Sequence, residues 1–301
     1  MSLPRALILS VRPHQWTKNL VVLAALALSK HLFGDLDAVV RGVAAFLVFC
    51  ALSGATYILN DLVDLEQDRL HPVKCRRPLA SGALPVAVAR GAGLLLTLAA
   101  LAASVALGWR FAVAAASYLA LSVAYSFVLK HVVILDVLEI AIGFVLRAVA
   151  GALAIGVVFS DWLLVCTILL ALFLALAKRR HELVTLGDAA SHRPILAEYS
   201  PYLLDQMIAV VTASCLTAYA FYTLAPETIE KYRTDRLSLT IPFVIYGIFR
   251  YLYLVHRKEQ GGSPSDLLLT DRPLLAAVAL WALAVVVIVY TAPGVPMPRV
   301  R

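Results

Sequence analysis

The chain has 301 residues, 61% of them hydrophobic and 15% charged, with a formal net charge of +7 and a mean hydropathy of +0.86. These values exclude an ordinary soluble domain and describe one all-α, polytopic integral-membrane domain over residues 1–301. A nucleic-acid partner would need an exposed soluble surface that is absent here, so the positive surplus points to anionic lipid headgroups and phosphorylated substrates.

The amino terminus has too short an apolar stretch, and no small-residue cleavage site, to read as a signal peptide. Nine apolar runs follow, near 17–34, 38–60, 84–107, 109–129, 132–158, 161–177, 203–225, 237–256 and 273–292, and each is expected to span the bilayer as a helix. Two charged loops interrupt them, at about 61–83 and 178–202. With the amino terminus inside, the cytoplasmic segments carry 15 Lys and Arg side chains and the opposite side carries 8, the direction the positive-inside rule requires. The expectation is a multi-pass protein of the cell (plasma or inner) membrane with both charged loops in the cytoplasm. No linker or fixed-period repeat divides the chain.

The first charged loop holds the strongest chemical signal. Asn60, Asp61, Asp64 and Asp68 follow the second run, and on a continuous helix the three aspartates at i, i+3 and i+7 share one stripe. Like charges at this spacing repel unless a cation lies between them. Mg²⁺ takes one or two carboxylates and completes its shell with water and phosphate oxygens, so the three aspartates fit a metal shared with a diphosphate. Glu66 points elsewhere. Lys74, Arg76 and Arg77 follow within ten residues; a basic interfacial loop alone is a topology signal, but beside aspartates its forked guanidiniums match phosphate oxygens.

The other candidates are weaker. The fifth run carries Asp136, Glu139 and Arg147, ionisable groups that face a bundle interior or a wet cavity when they lie in a span; Asp136 also fits a membrane interface, and Arg147 a purely structural ion pair. Ala148, Ala152 and Gly156 recur every fourth residue, as close helix packing requires. Tyr125 and Lys130 end the fourth run, where a snorkelling lysine and an interfacial tyrosine are the default. Lys178, Arg179 and Arg180 close the sixth, with Glu182 placed for a local ion pair. Cys50, Cys75, Cys166 and Cys215 have no metal or disulfide spacing, and the histidines share none either. No nucleophile–base arrangement, P-loop or dinucleotide fingerprint is present.

Over nearly its whole length the chain resembles the UbiA-type intramembrane prenyltransferase superfamily. The resemblance lies in N60-D-x-x-D-x-x-x-D68, K74-x-R-R-P-L and Y125-x-x-x-x-K130. R12-P-H-Q-W-T-K-N19, L129-K-H131, L146-R-A-V-A-G151, K178-R-x-x-E-L183 and, more weakly, D271-R-P273 are similar to the branch that transfers phosphoribose to decaprenyl phosphate. Superfamily members that use a prenyl diphosphate place a second aspartate-rich motif after the sixth span. This chain has K178-R-R-H-E182 there, with Asp188 outside such a spacing.

The resemblance implies a UbiA-like bundle of nine helices with the active site at its cytoplasmic face. It also implies Mg²⁺-dependent transfer of 5-phosphoribose from phosphoribosyl diphosphate (PRPP) to a polyprenyl phosphate, feeding cell-envelope biosynthesis. Asp61, Asp64 and Asp68 would hold the metal. Lys74, Arg76, Arg77, Lys130, Lys178 and Arg179 would hold phosphate oxygens, and Lys18 and Asn19 would touch the acceptor phosphate. Asn60, Tyr125, Arg147 and Glu182 complete the expected substrate-binding set. The alternative is a UbiA-type aromatic prenyltransferase that uses a polyprenyl diphosphate; a transporter is disfavoured because the acidic cluster lies at one membrane face. Homo-oligomerisation is left open.

Overall fold

The computed structural model describes residues 1–185, 194–258, 261–293 and Arg299. Asp188, weighed above, lies outside the described residues. The described residues form helices and turns without a strand. A short α1 (Leu3–Ser10) leads into a 3-10 segment (Pro13–Leu23) and α2 (Ala24–Leu28). There follow α3 (Leu36–Val63), α4 (Leu65–Leu70), α5 (Val86–Ala106), α6 (Trp109–Phe127), α7 (Leu135–Ile155) and α8 (Asp161–Thr185). The rest of the bundle comprises α9 (Pro201–Leu224), α10 (Pro226–Tyr232), α11 (Ile241–Arg257), α12 (Pro264–Thr270) and α13 (Arg272–Thr291). Eight of these helices are long and apolar enough to cross a membrane: α3, α5, α6, α7, α8, α9, α11 with the 3-10 turn before it, and α13.

The first expected span departs from a single helix. Its residues wind as 11 residues of 3-10 helix and then five of α-helix, ending at Lys30 with φ of 62°. A 3-10 helix rises about 2.0 Å per residue against 1.5 Å, so this composite covers about 30 Å with fewer residues than an α-helix would need. Close packing against α7 accompanies the tighter winding. A Cβ at Gly151 would lie 1.9 Å from the Val22 carbonyl oxygen, so only glycine lets the two backbones meet there. The close approach falls at Gly151 rather than Gly156; Gly156 ends α7 in the left-handed region (φ 72°), with Val157 N–H donating to the Ala152 carbonyl, as a helix C-terminus favours.

Local chemistry sets the other boundaries. Asp35 caps α3 by accepting from Ala38 N–H, Ser200 caps α9 from Leu203 N–H, and Asp271 caps α13 from Leu274 N–H. Gly108 (φ 120°) makes the two-residue turn between α5 and α6. At about 42 Å, α3 exceeds the ~30 Å hydrocarbon core, so its last turn carries Asn60 and Asp61 to the membrane face. Two apolar clusters fix the bundle. One joins the 3-10 segment to α3, α6 and α7 through Val22, Phe49, Leu52, Phe111 and Tyr118. The other joins α7, α8, α9 and α11 through Val137, Phe173, Leu204 and Tyr251.

Candidate functional site

The continuous acidic stripe expected after the second run is broken. α3 ends at Val63, Asp64 stands between helices at φ −91° and ψ 8°, and α4 restarts at Leu65. The carboxylates are therefore sorted rather than aligned. Asp61 and Asp68, both buried, converge on one guanidinium: Arg77 Nη1 lies 3.1 Å from Asp61 Oδ1 and 2.5 Å from Asp68 Oδ2. Arg12 Nη2 also reaches Asp61 Oδ1, at 2.5 Å, and Lys74 Nζ lies 3.9 Å from Asp68 Oδ1. Asp64 turns away to Lys130 Nζ and is steadied by Asn60 Nδ2 at 3.0 Å. Glu66 pairs with Arg69 on the exposed surface, as its spacing suggests. Arg76 is exposed and makes no ion pair among the described residues.

The donor chemistry fits a hard cation at the Asp61–Asp68 position, where Arg77 already places positive charge between two oxygens. Two carboxylates are what Mg²⁺ takes when phosphate supplies further oxygens. Among the described residues no three acidic, histidine or cysteine side chains gather around one point, so the three-aspartate cage expected from spacing is reduced to a pair plus a separately held Asp64.

A second layer lies deeper, at α7. Arg147 is buried, and its partners are neutral: Nε donates to Asn19 Oδ1 at 2.9 Å and Nη2 to the Tyr118 hydroxyl at 2.7 Å. Asn19 is anchored in turn by donating to Ser53 Oγ at 3.0 Å. Lys18 lies within electrostatic reach of Arg12, Arg147 and Lys178 and has no ion pair among the described residues. A structural ion pair for Arg147 is thereby set aside, because no carboxylate lies within 4 Å of it among the described residues.

Asp136, in the first turn of α7, is wholly buried among other side chains. It holds Arg179 Nε at 2.6 Å, while Arg179 Nη1 donates to Glu182 Oε2 at 2.7 Å and Nη2 to the Tyr125 hydroxyl at 3.4 Å. Tyr199 closes the network, donating to Asp136 Oδ1 at 2.7 Å and accepting from Ile134 N–H at 2.8 Å. Burial, with the carboxylate beside it, pushes the Tyr199 phenol up to about 12, which keeps it a donor. Arg179, expected to hold substrate, ties α8 to α7 through Asp136, and Glu182, on α8 itself and also expected to hold substrate, braces its guanidinium. Lys178 reaches Glu182 at 3.8 Å, and Arg180 faces the other way, to Asp205 on α9.

Sequence reasoning missed Arg12 and Tyr199 as members of these networks. Arg12 lies 49 residues from Asp61, beyond any helical spacing. Its one local signal is Pro13, which precedes the tight segment while Arg12 itself adopts φ of 52°. A cavity of about 870 Å³ lies elsewhere, lined by Arg41, Trp109 and Arg110; Arg41 is about 30 Å from Asp61 along α3, at the opposite end of the bundle.

Around the aspartates the described residues therefore assemble nine cations (Arg12, Lys18, Lys74, Arg76, Arg77, Lys130, Arg147, Lys178 and Arg179) against seven carboxylates (Asp61, Asp64, Asp68, Asp136, Glu139, Glu182 and Asp266, which acts on Lys18). This is a multi-pass membrane protein with a cluster of charged side chains, cations in excess, at one end of its helices. The UbiA prenyltransferase family model matches residues 19–268, and the chain belongs to that family and to its class of transferases. It is 33% identical to the decaprenyl-phosphate phosphoribosyltransferase of Corynebacterium glutamicum, over 97% of this chain and 89% of that protein. The protein of that name from Mycolicibacterium smegmatis is also 33% identical, over 93% and 91%. Among solved structures, a UbiA homolog from Archaeoglobus fulgidus bound to GPP and Mg²⁺ superposes with a TM-score of 0.72 at 18% identity, covering 95% of this chain and all of that one. That likeness carries the fold.

Proposed function

We propose that the chain transfers 5-phosphoribose from PRPP to a polyprenyl phosphate, releasing diphosphate, with the whole of 1–301 acting as one integral-membrane domain. The observation that carries this reading is the cation surplus at the site, above all Lys18 and Arg147, which have no carboxylate within 4 Å among the described residues and suit a second phosphorylated substrate. Two relatives named for this activity support it. Where a second acidic motif would serve a prenyl diphosphate, Lys178–Glu182 instead supplies cations and a structural network.

The chemistry needs little from side chains as acids or bases. A phosphate monoester carries about −1.5 to −2 charge near neutral pH, so the lipid phosphate oxygen attacks the anomeric carbon without losing a proton to the protein. The new C–O bond forms as the bond from that carbon to the diphosphate oxygen breaks, and the electron pair leaves with diphosphate. Asp61 and Asp68 would hold Mg²⁺, which supplies neutralisation of the departing charge. Arg77 and Arg12 orient these two carboxylates. Lys130 and Lys74 border the same space and attract the diphosphate oxygens. Lys18 and Arg147 lie deeper and hold a further phosphate, with Asn19 and Tyr118 fixing the Arg147 fork. The lipid tail lies among membrane lipids, and the excess of Lys and Arg in the loops at this end supports a cytoplasmic site.

Diphosphate release from PRPP by purified protein tests this reading. Release is expected only when polyprenyl phosphate and Mg²⁺ are both present. Release that ignores the lipid, or persists after chelation, contradicts it.

A further inference from the structure

On α7, Asp136, Glu139, Gly143 and Arg147 stand at i, i+3, i+7 and i+11, which puts them on one stripe of the helix. Asp136 is bound to Arg179, and Arg147 is held by Asn19 and Tyr118. Glu139 is different. It is 9% exposed, yet among the described residues its carboxylate has no hydrogen bond and no ion pair within 4 Å. The charges it senses are Arg147 on one side and Arg179 on the other. The sealed side-chain polar atoms without a partner among the described residues are Trp16 Nε1 and Tyr251 Oη, so the Glu139 carboxylate is reachable rather than enclosed, and an unpaired carboxylate in reach of a ligand calls for a reason. Gly143, one turn further along, packs against the same groups: a Cβ there would sit in ordinary contact with Arg147 Nη1 at 3.5 Å and the Tyr118 ring at 3.7 Å.

The ligand that answers Glu139 must donate hydrogen bonds. A phosphate would be repelled by the carboxylate, and a metal ion by the two arginines. A neutral polyol meets neither objection, and a vicinal diol offers two donors to one carboxylate. The order along the stripe, cation then carboxylate then cation, matches a molecule with anionic groups at both ends and hydroxyls between.

We propose that Glu139 is the sugar-recognising residue of the site, binding the ribose hydroxyls of PRPP. This rests on the phosphoribosyl reading above and sharpens it, because a prenyl diphosphate has no hydroxyl to offer. Glu139 therefore sets specificity for the donor, while the aspartates and cations bind its diphosphate.

The test compares full-length wild-type protein with Glu139→Gln, measuring binding of PRPP and of inorganic diphosphate in the presence of Mg²⁺. Wild type is expected to prefer PRPP. Glu139→Gln is expected to bind PRPP about ten- to a hundredfold more weakly, the scale of hydrogen bonds to a charged acceptor, with diphosphate affinity unchanged. Glu139→Asp keeps the carboxylate one methylene short, and is expected to fall between the two; it carries the same comparison should the Gln variant fail to fold. Equal loss of both ligands, or undiminished PRPP binding, overturns the assignment. Wild-type protein that binds diphosphate but shows no preference for PRPP overturns the phosphoribosyl reading itself.

Discussion

At the scale of single residues, the site is defined by which charges are answered inside the protein and which are not. Asp61 and Asp68 meet at Arg77, Asp64 meets Lys130, and Asp136 meets Arg179, whereas Lys18, Arg147 and Glu139 face no opposite charge within ion-pair distance. The first group organises the site and the second is left to its ligands. Asp61→Asn and Asp68→Asn are each expected to lower kcat/KM by about a hundredfold or more, the scale on which electrostatic groups act in transfer reactions, with a smaller drop in melting temperature than Asp136→Asn because their partners Arg12 and Arg77 are partly exposed to water. Steady-state kinetics beside a thermal melt check this, and wild-type turnover in either variant removes the metal assignment. Asp136→Asn separates the other class. Removing one partner of a buried ion pair costs about 3–5 kcal/mol, so this variant is expected to melt well below wild type, and an unchanged melt would contradict the structural role given to Arg179.

Elements matter through two constraints that bring distant residues together. The backbone contact between Val22 and Gly151 places Asn19 against Arg147, and the strained Ile134 (φ 71°) starts α7 where Tyr199 can bind both its N–H and Asp136. Positive φ at a β-branched residue costs on the order of 1–3 kcal/mol and persists where surrounding contacts hold it. Gly151→Ala is expected to force the 3-10 segment off α7, destabilising the protein by about 1–3 kcal/mol and weakening binding of phosphorylated substrates. A melt and a PRPP titration read both effects. Much at this scale was legible beforehand. The later apolar runs became helices close to their expected bounds, because twenty apolar residues between charged loops have few other solutions; the exception is the sixth, expected to end at 177, whose helix continues to Thr185 and carries Lys178–Glu182 out of the expected loop. Two features were not legible. An apolar run winds as 3-10 or α without changing its composition, so the tight first segment left no mark. The break at Asp64 has no Gly or Pro to announce it, so three aspartates read as one stripe where the structure makes a pair and a single.

For the whole molecule, the asymmetry of charge is the organising fact. The aspartates, the unanswered cations and the α7–α8 network gather at one end, while the large cavity at Arg41 and Trp109 lies at the other. The local motif N60-D-x-x-D was enough to locate that end, and Lys178–Glu182 is the stretch on which the two donor readings differ; Arg12 and Tyr199 required the folded chain, since they act across 49 and 63 residues. The central claim is that this bundle uses PRPP as donor and a polyprenyl phosphate as acceptor. The most direct measurement offers the purified protein, with Mg²⁺, two substrate pairs in parallel: PRPP with polyprenyl phosphate, and polyprenyl diphosphate with an aromatic acid. A phosphoribosylated lipid from the first pair alone is the expected result, and a prenylated aromatic product from the second pair alone would contradict it.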